Sequence, residues 1–184
     1  TKAGKILIVP GFFSVETEEF VNCVPDREKV WDYLSHSEKA QRMADGLREI
    51  VEMAGSRNIA DTPITVVIED FDDRNSPIAC VSGMQWFAEQ VPGLCFTFDT
   101  GNFIIHGENI FAAWEELKDK VVHVHCKDRK ISSDKPLQTQ KNATPDIKEC
   151  YLPAAVGEGC IPIKELVYKM KEYGYRGYLA IEHF

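Results

Sequence analysis

The chain has 184 residues, of which 44% are hydrophobic and 27% are charged, a composition typical of one soluble globular domain with a substantial core. Its net charge of -8 and pI of about 5.2 would repel a phosphate backbone, so nucleic acid is not expected as a partner. No apolar stretch reaches the ~20 residues of a membrane span. We therefore expect no membrane association and a cytoplasmic location.

Short apolar runs rich in β-branched residues recur along the chain. In chain order they are KILIVP (5–10), ITVVIE (64–69), LCFTFD (94–99), VVHVHC (121–126) and YLAIE (178–182). Near-continuous hydrophobicity is typical of strands that are buried on both faces, as in a parallel sheet. We therefore predict five such strands, and the long interval between the last two leaves room for a sixth at 151–156.

Helical patterns lie between these strands. A helix is predicted over residues 35–55, beginning with a capping box formed by Ser35 and Glu38. Apolar stripes with helical spacing also follow the second, third and fourth strands, and the last of them begins at Pro162 and stops before Gly174. Strand ends about 30 residues apart are typical of βα units. Because a closed (β/α)8 barrel usually needs ~250 residues, the pattern predicts either an open sheet or most of a barrel.

Four of the predicted strands end in a possible metal ligand. Three end in acids, Glu69, Asp99 and Glu182, and His125 takes the same place in the run VVHVHC. A carboxylate is costly to bury without a partner, so one shared divalent cation would account for all four. Two Glu, one Asp and one His suit Mn²⁺, Co²⁺, Zn²⁺ or Mg²⁺. A single acid at a strand end is more often a helix cap or an ion-pair partner, so the prediction depends on the four residues together.

The stretch VVHVHCKD contains a second histidine, His123, two residues before His125. Strand alternation places both side chains on the same inward face but at different depths. Only His125 is level with the three acids. We therefore predict His125 as the ligand and His123 as a core residue one layer below it.

The segments VVIEDFDD, TFDTGNF, VVHVHCKD and VGEGCIPIKELVYKMKEYGYRGYLAIEH occur in an order and spacing that resemble the xylose isomerase-like TIM-barrel superfamily. This superfamily includes sugar phosphate isomerases and epimerases, ketose 3-epimerases, hydroxypyruvate isomerase, inosose dehydratase and the more distant endonuclease IV. The resemblance is strong over residues 60–184. It implies a single α/β domain over residues 1–184, an incomplete (β/α)8 barrel with about six strands present and the first strands and the last helix missing.

The resemblance also implies a site and a mechanism. The family's metal ligands follow its fourth, fifth, sixth and eighth strands, and they correspond here to Glu69, Asp99, His125 and Glu182. One divalent metal ion would bind the carbonyl and hydroxyl oxygens of a sugar or sugar phosphate. Proton transfer would then proceed through a metal-stabilised enediolate, with Glu69 and Glu182 as the catalytic groups that remove and deliver the proton.

Three further residues are candidates for binding the substrate. Asn102 stands where family members often have a histidine that touches substrate, and an amide can hydrogen-bond a hydroxyl but cannot act as an acid or base near pH 7. Lys127 could meet a substrate phosphate or be a solvated loop charge. Asp128 could orient the site or hold a hydroxyl, or be an ordinary surface or capping residue.

Several functions share this scaffold. A sugar isomerase or epimerase is the first hypothesis, and the alternatives are a polyol dehydratase, an endonuclease IV-like phosphodiesterase and a non-catalytic sugar-binding protein. The expected partner is a small carbohydrate. Because an incomplete barrel exposes strand edges and apolar faces, we also expect a homo-oligomer.

Overall fold

The computed structural model describes residues 4–11, 17–24, 26–56, 63–132 and 150–183. The strands within these ranges are β1 (Lys5–Ile8), β2 (Thr65–Glu69), β3 (Cys95–Asp99), β4 (Val121–Cys126), β5 (Asp128–Ser132), β6 (Cys150–Ala154) and β7 (Leu179–Ile181). The helices are α1 (Thr17–Cys23), α2 (Arg27–His36), α3 (Glu38–Ser56), α4 (Val81–Gln90), α5 (Ile110–Leu117) and α6 (Ile163–Tyr173). As the sequence predicts, at least one helix lies in the chain between each two successive members of the set β1, β2, β3, β4 and β7.

The main sheet is parallel and contains five strands in the order β1, β2, β3, β4, β7. Each of the five predicted apolar runs supplies one of these strands. Because all five point the same way, their carboxyl ends meet at one edge of the sheet. The sheet with its helices forms part of a TIM barrel, which confirms the predicted fold class.

The sixth predicted strand exists, but it does not join the parallel sheet. β6 pairs antiparallel with β5 in a separate two-stranded ribbon, with Asp128 opposite Ala154. β7 hydrogen-bonds directly to β4, so no further strand fits between them. The strand predicted at 151–156 therefore forms as β6 but lies outside the parallel sheet, and the four ligand-bearing strands are immediate neighbours.

Alternate side chains of the central strands face opposite ways, as the pleat requires. One set packs into the hydrophobic core against the helices, where the largest buried side chains include Trp86 and Trp114; it comprises Val66, Ile68, Phe96, Phe98 and Val124. The other set lines a cavity of about 550 Å³, together with residues of β1 and Tyr178; it comprises Val67, Thr97, His123 and His125. The candidate ligands belong to this second, concave face.

The predicted helix over residues 35–55 is interrupted near its start. α2 ends at His36 and α3 begins at Glu38, because the Ser37 hydroxyl accepts a hydrogen bond from the Ala40 backbone N–H at 3.3 Å. The Ser35 hydroxyl instead accepts a hydrogen bond from Trp86 Nε1 at 3.1 Å. The predicted cap at Ser35 is therefore two residues early.

A search of the described residues for a helix with the length and apolarity needed to cross a bilayer finds none.

Candidate metal centre

The carboxyl ends of β2, β3, β4 and β7 bring the four predicted ligands together. One ligand atom from each of Glu69, Asp99, His125 and Glu182 lies within 4.8 Å of the others. These residues are up to 113 positions apart in the chain, from 69 to 182, and only the parallel register makes them neighbours. Among the described residues this is the one group of three or more possible metal ligands.

His125 lies between the two glutamates. Its Nδ1 atom is 2.7 Å from Glu182 Oε2 and also contacts Glu69 Oε1. The hydrogen bond to Glu69 is the main reason that the pKa of His125 is raised above its usual value, with the nearby charges of Glu182 and Asp99 adding to it. The imidazole is thus held by electrostatic attraction at the centre of the cluster.

Asp99 is the most deeply buried of the four. Burial raises its pKa to about 7, although the charge of Lys127 acts to lower it. Its Oδ1 atom accepts a hydrogen bond from the Gly101 backbone N–H at 2.7 Å. Its Oδ2 atom is buried and has no well-formed hydrogen bond among the described residues, although Lys127 Nζ is 3.2 Å away. The Lys127 ammonium compensates part of the charge of this buried carboxylate, and a bound divalent cation would compensate it further.

The donor set fits a divalent cation. Three carboxylates and one imidazole are the oxygen and nitrogen ligands that Mn²⁺, Co²⁺, Zn²⁺ and Mg²⁺ use in proteins. Ligand atoms with bonds of about 2.1 Å to one ion lie at most about 4.2 Å apart. Atoms within 4.8 Å of one another need only small side-chain movements to reach that arrangement.

Lys127 places a positive charge next to two of the candidate ligands. Its Nζ atom lies 2.9 Å from Glu182 Oε1 and 3.2 Å from Asp99 Oδ2, and its side chain is only 4% exposed. Burial acts to lower the pKa of Lys127, but the two carboxylates outweigh burial and the pKa is raised. The predicted substrate-binding lysine is thus a buried charge of the site rather than a solvated loop charge.

Asn102 is also at the site, but its polar atoms are already engaged. Its Nδ2 donates to the Asp70 carbonyl at 2.8 Å, and its Oδ1 accepts from Arg129 Nη2 at 3.2 Å and lies 3.4 Å from Lys127 Nζ. The residue is 3% exposed. These contacts tie Asn102 to the ends of two neighbouring strands, and its predicted contact with a substrate hydroxyl stays a prediction.

Asp128 anchors the Gly157–Glu158–Gly159 loop. Its carboxylate accepts backbone hydrogen bonds from Gly157 and Gly159, both at 2.9 Å, and from Ile161 at 3.1 Å. Gly157 has a φ of 91°, and a Cβ on Gly159 would come within 2.1 Å of Asp128 Oδ1, so glycine is required at both positions. Asp128 is therefore a buried loop anchor rather than a surface residue, and its role toward substrate stays a prediction.

Replacing Asp128 with alanine should release this loop. At least three backbone N–H groups would lose their acceptor, which is expected to cost about 2–3 kcal/mol. Amide hydrogen exchange by mass spectrometry should show faster exchange over residues 157–161, while exchange in β3 stays slow. Unchanged protection of the loop would contradict the anchoring role.

Sequence reasoning missed one buried acid, Asp70. Its Oδ1 accepts a hydrogen bond from the Asp99 backbone N–H at 2.7 Å, which ties the end of β2 to the end of β3. Burial, with the nearby charge of Asp99, raises the pKa of Asp70 well above its usual value. The only feature of the sequence that marks Asp70 is its position directly after Glu69. Because side chains alternate along a strand, only Glu69 was expected to face the site, and Asp70 was overlooked.

The fold and the site together define a class: a parallel α/β half-barrel with a carboxylate and histidine cluster at the carboxyl ends of four adjacent strands. Residues 8–184 match the family described as xylose isomerase-like TIM barrel. The chain therefore belongs to that family. The resemblance seen in the sequence is confirmed.

Individual relatives are more distant. An inosose dehydratase of Lacticaseibacillus casei is 27% identical over 86 residues, which cover 46% of this chain and 28% of the relative. Among solved structures, the xylose isomerase domain protein from Planctomyces limnophilus has a TM-score of 0.60 at 20% identity, over 90% of this chain and 60% of that one. The 3-keto-D-glucoside 4-epimerase of E. coli has a TM-score of 0.55 at 17% identity, over 79% and 47%. The matches thus cover less than two thirds of each relative's length.

Proposed function

We propose that this chain carries the active site of a metal-dependent isomerase or epimerase that acts on a sugar or a sugar phosphate. The observation that carries the proposal is the geometry of the two glutamates, which both contact His125 Nδ1 within a cluster that also contains Asp99. Two carboxylates on either side of one small volume suit a reaction in which one group removes a proton and another returns it.

Glu69, Asp99, His125 and Glu182 would hold one divalent cation. When bound, such an ion polarises a substrate carbonyl and makes the neighbouring C–H bond more acidic. Mn²⁺, Co²⁺, Zn²⁺ and Mg²⁺ all suit this donor set. The buried Lys127 ammonium would add a fixed positive charge next to the same volume.

The contacts distinguish the two glutamates. Glu182 uses both oxygens, Oε2 toward His125 and Oε1 toward Lys127. Within the described residues, the ion pairs of Glu69 involve Oε1 alone. We therefore assign Glu69 as the group that removes the proton, because its Oε2 atom is available, and Glu182 as its counterpart on the opposite side.

A dehydratase acting on a cyclic polyol is the second candidate. The alignment with inosose dehydratase favours it, and removal of a proton next to a carbonyl is a step that both reactions share. The two reactions diverge after that step: return of the proton gives an isomer, whereas departure of a neighbouring hydroxyl gives a dehydrated product.

Isotope exchange tests the proposal. The purified protein, loaded with Mn²⁺, is incubated in deuterated water with a panel of ketoses, ketose phosphates and inososes. We expect deuterium to enter one substrate C–H position without loss of water, as followed by NMR and mass spectrometry. Loss of water with the exchange would favour the dehydratase, and absence of exchange with every class would contradict both.

A further inference from the structure

The tripeptide Thr100–Gly101–Asn102, which follows the candidate ligand Asp99, has contacts that the proposed reaction does not by itself explain. All three residues are buried. Each of them contacts or closely approaches a different part of Lys127, which comes from the neighbouring strand end.

Thr100 holds the backbone of Lys127 from both sides. Its hydroxyl accepts a hydrogen bond from the Lys127 N–H at 2.9 Å and donates one to the Lys127 carbonyl at 2.7 Å. The Thr100 N–H also donates to the His125 carbonyl at 3.0 Å. A residue whose N–H and C=O are both fixed in this way has little freedom to change its backbone angles.

Gly101 makes room for the aliphatic part of the lysine. A Cβ at this position would lie 2.9 Å from Lys127 Cγ and 3.0 Å from the Lys127 carbonyl oxygen. Any side chain here would therefore push the lysine away. Because Gly101 has no Cβ, the Lys127 side chain can pass directly over its backbone.

Asn102 provides an acceptor near the charged end. Its Oδ1 lies 3.4 Å from Lys127 Nζ, and Arg129 Nη2 donates to the same oxygen at 3.2 Å. The orientation of the amide is determined by its neighbours: a flipped amide would turn its NH₂ group toward two cations and its oxygen toward the Asp70 carbonyl.

We propose that Thr100, Gly101 and Asn102 form a lysine cradle that positions the Lys127 ammonium beside Asp99 and Glu182. This proposal rests on the proposed function, in which removal of a proton next to a carbonyl leaves negative charge on an oxygen. A cation that is already in place stabilises that charge without reorganisation. The three cradle residues act through Lys127 and are positioning residues.

Two pairs of substitutions test the cradle. Thr100→Val keeps the shape of the side chain but removes both hydrogen bonds to Lys127, whereas Thr100→Ser keeps them. Gly101→Ala introduces the clash with Lys127. Gly46→Ala adds the same methyl group in α3, where a Cβ would have nothing within 4 Å.

The first measurement does not require activity. An amine-directed reagent is applied to the folded protein, and labelling of Lys127 is followed by peptide mass spectrometry. We expect labelling to be at least 10-fold faster in Thr100→Val and Gly101→Ala than in the wild type, and unchanged in Thr100→Ser and Gly46→Ala. Equal labelling rates in all five folded proteins would overturn the cradle.

The second measurement separates positioning from substrate contact. In the exchange reaction, loss of positioning should lower kcat about 10-fold or more in Thr100→Val, Gly101→Ala and Asn102→Ala, with KM changed less than threefold, and Thr100→Ser should restore kcat. A rise in KM at constant kcat in Asn102→Ala would instead indicate that Asn102 binds substrate.

Full exchange activity in Lys127→Met would overturn the cradle but leave the proposed function standing. A wild type without exchange activity would refute the function, while the labelling result would still decide whether the cradle holds Lys127.

Discussion

Replacing Glu69 with glutamine is expected to lower the rate of substrate C–H exchange by about 10³-fold, within the range that general base catalysis contributes. The reason is that the amide has nearly the same shape as the carboxylate but cannot accept the substrate proton near pH 7. Its oxygen can still contact the cation. We therefore expect saturating Mn²⁺ to bind, with the exchange rate remaining low. Deuterium incorporation measured by NMR at saturating Mn²⁺ checks this expectation.

Glu116→Gln is the matched control for this variant. Glu116 is an exposed glutamate of α5 whose carboxylate accepts a hydrogen bond from Gln85 Nε2 at 2.8 Å, and a glutamine oxygen can accept the same bond. Its exchange rate should equal that of the wild type. If Glu69→Gln kept more than about a tenth of the wild-type rate with metal bound, the role of Glu69 in proton removal would be refuted.

The second large effect concerns metal binding and pH. In the absence of metal, the folded protein holds protons that the unfolded chain releases, since the pKa of Asp99 is raised from 3.8 to about 7 and the pKa of His125 is also raised. The stability that each of these groups provides is fully present only below its unfolded pKa, 3.8 for Asp99 and 6.5 for His125, and it is lost as the pH rises from there through the raised folded pKa. The pKa of His106, lowered from 6.5 to about 4, acts in the opposite direction between those two values.

A divalent cation reverses this dependence, because it binds the deprotonated ligands. With the metal at about 100 times its Kd, stabilisation of about 2.7 kcal/mol is expected. For a chain of this size, that corresponds to a rise in Tm of roughly 5–10 °C. We expect the rise to be close to zero at pH 5 and to reach its full size by pH 8, as measured by differential scanning calorimetry with and without Mn²⁺.

The control for this experiment is the variant His125→Ala, which removes the central ligand. Its Tm should not respond to Mn²⁺ at either pH, and metal analysis after dialysis should find about one ion per wild-type chain and none per variant chain. A metal-dependent rise in Tm that is the same at pH 5 and pH 8 would show that the cation binds elsewhere.

Much of this fold was predictable from local patterns. The five parallel strands were marked by near-continuous apolar runs, and the boundaries of α6 by Pro162 and Gly174. The start of α3 was predicted two residues early, because Ser35 and Ser37 are both residues that favour an N-cap. Only the packing decides between them, since the Trp86 indole takes the Ser35 hydroxyl.

The sequence alone determined the four candidate metal ligands. Glu69, Asp99, His125 and Glu182 each end an apolar run, and parallel strands place such ends at one edge. The tertiary structure decided what surrounds them. It placed β7 directly beside β4 and β6 outside the main sheet, and it turned Asn102 and Lys127 toward each other. Those outcomes depend on hydrogen bonds and close contacts between residues 18 or more positions apart, from Ser132 opposite Cys150 upward, and the periodicity of a single strand or helix carries no information about such contacts.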